Sequence, residues 1–273
     1  MTSAPHLDRL SALLAGLAPR VRVARPAPAA ARLDVAADAA PGLHLYLLAE
    51  GKMALELRST ASRELPAPCI VVCRADTPHA LSAANAADWS QLICARAWLD
   101  GPVAALLLGE FAEPQVLALA GAESSLQHVV KLIAAELQAP RCGQPALLER
   151  AGDILFIGLL RHLIAHPGER GGLLNGLAEP RIARALVAIH TRPQAHWTLE
   201  TLAAEAGMSR TAFANTFRDA MRQTPGKYLA AVRLAIARRA VQAGKGLKSA
   251  ARDAGYANTS ALSRALARPA ALQ

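Results

Sequence analysis

The stretch RTAFANTFR, from Arg210 to Arg218, sorts its side chains by helical face. Arg210, Thr211, Ala214, Asn215 and Arg218 share one face; Phe213 and Phe217 share the other. The first face is small, polar or cationic, and a face of that kind can enter a DNA major groove. The two phenylalanines are placed to pack back onto a preceding helix. Elsewhere the residues able to do chemistry are scattered. His44, Tyr46, His79 and Trp98 fall in the front half, and four cysteines (Cys69, Cys73, Cys94, Cys142) form no CxxC pair, so no zinc-finger framework is indicated.

A recognition face needs a scaffold, and the surrounding sequence supplies one. Leu199, Leu202, Ala203 and Ala206 recur at helical spacing behind Thr198, a good N-cap residue. Gly207 ends that helix because it accepts the left-handed conformation, and Ser209 can cap the next. Thr224-Pro225-Gly226 then breaks the chain before a long helix over 227–242, with Leu229, Val232, Ile236 and Val241 on its apolar side. Leu247 to Ala254, Gly255-Tyr256 and Ser260 to Leu266 repeat the helix-glycine-helix layout. Upstream, Arg181 to His190 reads as a helix with Ile182, Leu186 and Ile189 inward. This third is also the basic one: Pro180 to Gln273 holds 15 Lys/Arg against 4 Asp/Glu, a balance of 15 − 4 = +11, and the rest of the chain is 15 − 17 = −2. Such a charge bias suits phosphate binding.

With 273 residues, 53% hydrophobic and 19% charged, the chain can form two packed domains. MTSAPHLDRL shows no signal-peptide apolar region, and the most apolar segment, 154–165, is interrupted by Arg161 and His162. A cytoplasmic protein with no membrane partner is expected.

In the front half, Leu7 to Leu17 suggests a short amphipathic helix, and Arg20 to Ala40, rich in Ala, Pro and Arg, an irregular stretch with one strand. From Gly42 the period changes to two. LHLYLL, MALEL, the apolar run Cys69–Cys73 and the alternating 88–99 segment read as strands, with Gly51 and the Pro66–Pro68 pair as turns. This is the pattern of an antiparallel barrel or jelly roll. Helical spacing returns at 124–166, with Leu126, Val129, Val130, Ile133 and Leu137 in one stripe and Leu147, Leu148, Ala151, Leu155 and Leu159 in a second. Two such helices can cover the barrel, each other or a second subunit.

Two resemblances follow. LHLYLLAEGKMALEL and LPAPCIVVCRADTPHAL resemble the paired strands of the small cupin barrels that precede AraC-type DNA-binding domains, with Ala67-Pro68-Cys69 in place of the usual Gly-Asp turn and Ala75 in place of a glycine. The segment from about Pro180 to Arg268 resembles the AraC/XylS family through Leu202-Ala203, Ala206-Gly207-Met208-Ser209, Phe213, Phe217, Pro225, Tyr228-Leu229, Arg233-Leu234, Ala237, Ala250-Ala251, Gly255-Tyr256 and Ser263-Arg264. The fold expected is α+β: a cupin-like antiparallel β-barrel with a helical pair (about 122–166) over 1–167, a linker over 168–179, and an all-α domain with two helix-turn-helix units over 180–273.

The resemblance implies a transcription regulator that reads double-stranded DNA, not an enzyme. Bases would be met by Thr211, Ala214 and Asn215 in the first unit and by Thr259, Ser260 and Arg264 in the second. Arg210 and Arg218 would hold phosphates. The family usually adds a Phe-Gly-x-Ser-Pro-x-x-Tyr-Arg segment after the second recognition helix. Here the chain turns at Arg268-Pro269, and Leu262 and Leu266 stand where Phe is usual, so the first unit is expected to carry more of the affinity.

A small organic effector would enter the barrel mouth, lined by His44, Tyr46, His79 and Trp98. A homodimer through the 122–166 helices, and RNA polymerase if the output is activation, are the further partners implied. Metal-binding cupins supply more histidines than His44 and His79, with Tyr46 standing where another is wanted and only Glu50 near the Glu position, so neither metal nor other cofactor is expected. Two alternatives stay open: a metal-dependent cupin enzyme with an appended DNA-binding domain, and a thiol-based redox regulator in which Cys94 meets Cys69 or Cys73.

Overall fold

The computed structural model describes residues 8–26, 32–57, 62–83, 85–121 and 123–267. Along them come α1 (Ser11–Leu17), β1 (Pro19–Ala24), β2 (Arg32–Val35), β3 (Gly42–Leu48), β4 (Lys52–Leu57), β5 (Arg63–Pro66), β6 (Cys69–Arg74), β7 (His79–Ala83) and β8 (Leu92–Leu99). Then follow α2 (Ala104–Leu108), β9 (Gln115–Ala118), α3 (Ser124–Gln138), α4 (Gln144–Ala165), α5 (Leu173–Ala178) and α6 (Pro180–Thr191). The chain continues through α7 (Leu199–Ala206), α8 (Arg210–Met221), α9 (Pro225–Gln242), α10 (Leu247–Ala254) and α11 (Thr259–Ala267). The fold is α+β. It divides into two compact units, one of residues 19–100 and 111–163, the other of residues 1–18, 101–110 and 164–273.

The first unit is two antiparallel sheets, ordered β1-β8-β3-β6-β9 and β2-β7-β4-β5. Their facing surfaces close on one core: Tyr46 and Leu48 of β3, Cys69, Val71 and Cys73 of β6, and Leu92 of β8 meet Met53, Leu55, Leu65, Leu81 and Ala83 of the other sheet. Strand parity puts Leu43, Leu45 and Leu47 on the opposite face of β3, and they too are buried, so this central strand is covered on both sides. The two segments likened to cupin strands do pair, β3 with β6 and β4 with β7. Helix α4 reaches the sheet at Gly152, where a Cβ would stand 3.0 Å from the Val21 side chain, and meets α3 at Gly158, 3.1 Å from Leu126 by the same measure.

Three local expectations need correction in this unit. The 20–40 stretch holds two strands, β1 and β2; Arg20 and Arg22 alternate with buried Val21 on β1, an edge-strand pattern that its Arg and Pro content disguised. The 88–99 segment begins as a 3-10 turn over Ala86–Gln91, and the strand starts only at Leu92. Cys94 cannot meet Cys69 or Cys73, because β3 runs between β8 and β6. Two strand spacings come to about 9.6 Å, beyond the reach of a disulfide.

The second unit is helical. Ile182, Leu186 and Ile189 of α6 are buried, as are Leu202, Ala203 and Ala206 of α7 and Phe213, Phe217 and Met221 of α8, while Leu199 is half-buried. Val241, expected on the apolar side of α9, is 37% exposed. The 168–179 stretch, read as a linker for its glycines, carries α5, with Leu173, Leu174 and Leu177 buried. Gly176 permits that packing, since a Cβ there would collide with Met221 and Leu186. The ends of α5 are held by charges that match the helix dipole. Glu110 accepts from the Leu173 N–H at 2.6 Å, and Arg9 donates to the carbonyls of Leu177 and Ala178 at 3.0 and 3.2 Å.

Candidate nucleic-acid interface

The first helix-turn-helix is fixed by its caps. The Thr198 hydroxyl accepts from the Thr201 N–H, the Thr201 hydroxyl accepts from the Thr198 N–H, and the two form a capping box. Gly207 takes φ 64° and ψ 41°, ending α7, and the Ser209 hydroxyl accepts from the Ala212 N–H to start α8. Phe213 and Phe217 are fully buried with ring centroids 5.5 Å apart, and Phe217 lies 6.0 Å from the ring of Tyr228 on α9. The Tyr228 hydroxyl shares a 2.6 Å hydrogen bond with His190 Nε2, and burial pulls that imidazole down to about 4, so it is neutral.

With the aromatic face of α8 consumed by the core, the other face is turned out. Arg210, Thr211, Asn215 and Arg218 are exposed and Ala214 is half-buried. Arg210 pairs with Glu200 across the turn at 2.9 Å, with both side chains exposed. The second unit repeats the plan. Gly255 at φ 78° closes α10, and the Asn258 carboxamide oxygen accepts from the Ala261 N–H at 2.8 Å, a cap the sequence reading did not single out. Thr259, Ser260 and Arg264 are exposed on α11, and Leu262 is buried against Ala237, Ala250, Ala251 and Ala254. A hollow of about 490 Å³ lined by Arg192, His196, Trp197, Thr201 and Glu205 contains none of these outward residues.

In the β-rich unit, three of the four residues expected around an effector are brought together. His79 donates from Nδ1 to the Thr77 carbonyl at 2.7 Å, which leaves Nε2 to accept the Tyr46 hydroxyl at 2.6 Å. His44 stacks at 6.2 Å on Tyr46 and lies 5.7 Å from His79. Its Nε2 is buried without a hydrogen-bond partner, and desolvation, with the neighbouring Arg96 charge, lowers its pKa to about 4. Trp98 joins less directly: its ring lies under the guanidinium of Arg96, 5.1 Å away, and Arg96 is the cross-strand neighbour of His44. Arg96 is itself tied to Asp38 and to the Ala40 and Ala97 carbonyls. Burial pushes the Cys69 thiol up to about 11 and Cys73 and Cys94 up to about 12, so all three are protonated near neutral pH. Among the described residues no group of three or more His, Cys, Asp or Glu side chains is arranged to hold a metal ion.

A family model described as a cupin matches residues 8–165, more than half of the chain, and one described as a helix-turn-helix domain matches residues 202–270. AlkR of Acinetobacter baylyi, an HTH-type transcriptional regulator, is 33% identical over 137 residues, which are 50% of this chain and 45% of AlkR. A protein of Streptomyces lividans described as AraC-like is 34% identical over 146 residues, 53% of this chain and 48% of its own. By the first of these matches the chain belongs to the cupin family, and its C-terminal third carries a helix-turn-helix domain similar to those of AraC-like regulators. The chain spans about half the length of the curated relatives it matches. Among solved structures, ToxT from Vibrio cholerae O395 aligns over 90% of this chain and 91% of its own, at 10% identity and a TM-score of 0.36. No helix among the described residues is long and apolar enough to cross a membrane.

Proposed function

We propose that this protein is a sequence-specific regulator of transcription that binds double-stranded DNA in the cytoplasm and catalyses no reaction. The observation that carries this reading is the pair of helix-turn-helix units in the cationic third, each presenting polar side chains outward from its second helix. On α8, Asn215 is suited to adenine, Thr211 to a thymine methyl and Ala214 to apolar contact; on α11, Arg264 is suited to guanine, with Thr259 and Ser260 beside it. Arg210 and Arg218 serve phosphates. A gel shift on the DNA upstream of its own gene tests the reading: a discrete complex that weakens steeply with salt is expected, and binding indifferent to sequence would refute it.

The β-rich unit serves as the sensor. A small organic effector is supported by His44, whose buried Nε2 has no partner, beside the Tyr46–His79 pair, with Trp98 further along β8. Self-association through α3 and α4 is supported by Leu132 and Ile154, 43% and 53% exposed. Sedimentation of the purified protein with Ile154→Glu checks it: a shift from dimer to monomer is expected. RNA polymerase is the further partner where the output is activation. The protonated, separated thiols weigh against the redox alternative.

A further inference from the structure

Arg233 sits in the middle of α9, the helix joining the two reading units. Its guanidinium donates from Nε to the Pro193 carbonyl at 2.9 Å and from Nη2 to the Ala195 carbonyl at 2.7 Å. Both acceptors lie in the bend between α6 and α7 that leads into the first unit. The turn of the second unit reaches the same bend. A Cβ built on Gly255 would stand 2.6 Å from Gln194 Cα, 3.1 Å from the Pro193 oxygen and 3.2 Å from Arg233 Nε. Three parts of the chain therefore meet at one point: the lead-in of the first unit, the waist of the joining helix and the turn of the second.

Apolar packing alone gives the second unit little to hold its angle. Its fully buried core is Ala237, Ala250, Ala251, Ala254 and Leu262, four of which are too small to interdigitate, and the larger Ile236, Tyr256 and Leu266 pack against it only half-buried. A half-buried guanidinium donating to two carbonyls is directional, and desolvation makes the bonds costly to break. We infer that Arg233 fixes the angle and phase between α8 and α11, and thereby sets the half-site spacing that the protein accepts. It touches no base or phosphate in this account; it is a positioning residue. The inference rests on the DNA-binding reading, because two linked modules gain from each other only when their geometry lets both engage at once.

The test starts from duplexes selected out of a random pool by the full-length protein. The selected site is remade with one to five base pairs inserted or removed between its halves, and affinities are read by fluorescence anisotropy. Inserting about half a helical turn should cost the wild type about 100-fold, the loss of one module's linkage. Arg233→Ala and Arg233→Lys should bind the parent duplex about tenfold more weakly, yet lose no more than about tenfold on the same insertion. Lysine keeps the charge and the stem packing but not the fork, so it serves where alanine unfolds the domain; far-ultraviolet circular dichroism reports which case holds. A spacing penalty unchanged from wild type, or a selected consensus with a single half-site, overturns the proposal. A wild-type protein that selects no sequence overturns instead the DNA-binding reading itself.

Discussion

At the scale of residues, the chain separates side chains that read from side chains that hold. Asn215 and Arg264 are exposed and able to make paired hydrogen bonds to a base edge, whereas Arg218 offers charge near the end of α8. Asn215→Ala and Arg264→Ala should each cost about 1–3 kcal/mol at one base position and relax the preference there. Arg218→Ala should weaken all sites alike and reduce the salt slope by about 1. Affinities over a panel of single-base variants at several salt concentrations separate the two behaviours; a uniform loss from Asn215→Ala contradicts its role. His190 holds. Its folded pKa of about 4, depressed by burial, lies below the ordinary histidine value, so the unfolded chain takes up the proton first as pH falls. The stability from this group is complete above the unfolded pKa and is lost as pH drops towards 4, amounting to about 2 kcal/mol between pH 7 and 5. Urea unfolding of the wild type and His190→Gln at both pH values checks this: the variant should lose less on acidification. His44, similarly depressed, acts equally in both proteins and cancels in the comparison.

At the scale of elements, the two helix-turn-helix units share a plan and differ in filling. The first is anchored by Leu202, Phe213, Phe217 and Met221 and by the capping box of Thr198; the second by four alanines and Leu262, with Ile236, Tyr256 and Leu266 half-buried against them and no side-chain cap on α10. Less apolar surface is removed from water in the second, at about 25 cal/mol per Å². Backbone amides of α10 and α11 should therefore exchange with deuterium at least about tenfold faster than those of α7 and α8. Equal protection would show that Leu262 and the alanines suffice. These elements were legible because their punctuation is local: Thr198, Gly207, Ser209 and Gly255 each dictate a backbone conformation within a few residues. What was not legible was set by partners distant in the chain. Nothing near 20–24 announces a strand until β8 pairs with it, and α5, with Gly171, Gly172 and Gly176 around it, becomes a helix through the burial of its leucines and the charges at its ends. The candidate interface was read from the split between aromatic and polar faces of α8. The Arg233 clamp escaped because its acceptors are backbone carbonyls 38 and 40 positions away, which no side-chain pattern encodes.

At the scale of the whole molecule, sequence thirds and compact units do not coincide. Residues 1–18 and 101–110 are grouped with the C-terminal helices, and Glu110 and Arg9 bind the two ends of α5 there. Burial pushes the Glu110 carboxyl upward while the Leu173 and Leu174 N–H groups favour its charged form. Glu110→Ala should destabilise the helical unit by about 1–3 kcal/mol, the cost of leaving a buried N–H unsatisfied. Thermal unfolding followed by helical circular dichroism checks it, and an unchanged midpoint would remove Glu110 from the account.

The central claim, that twin recognition helices in a cationic unit read a DNA sequence, is met most directly by competition binding. Full-length protein is titrated onto a duplex it has selected, against random-sequence competitor, at two salt concentrations. A preference of about 10³-fold or more for the selected duplex is expected, surviving at the higher salt while overall affinity falls, and abolished when Asn215 and Arg264 are both replaced by alanine. Equal affinity for selected and random DNA, or a preference indifferent to that double substitution, would contradict it.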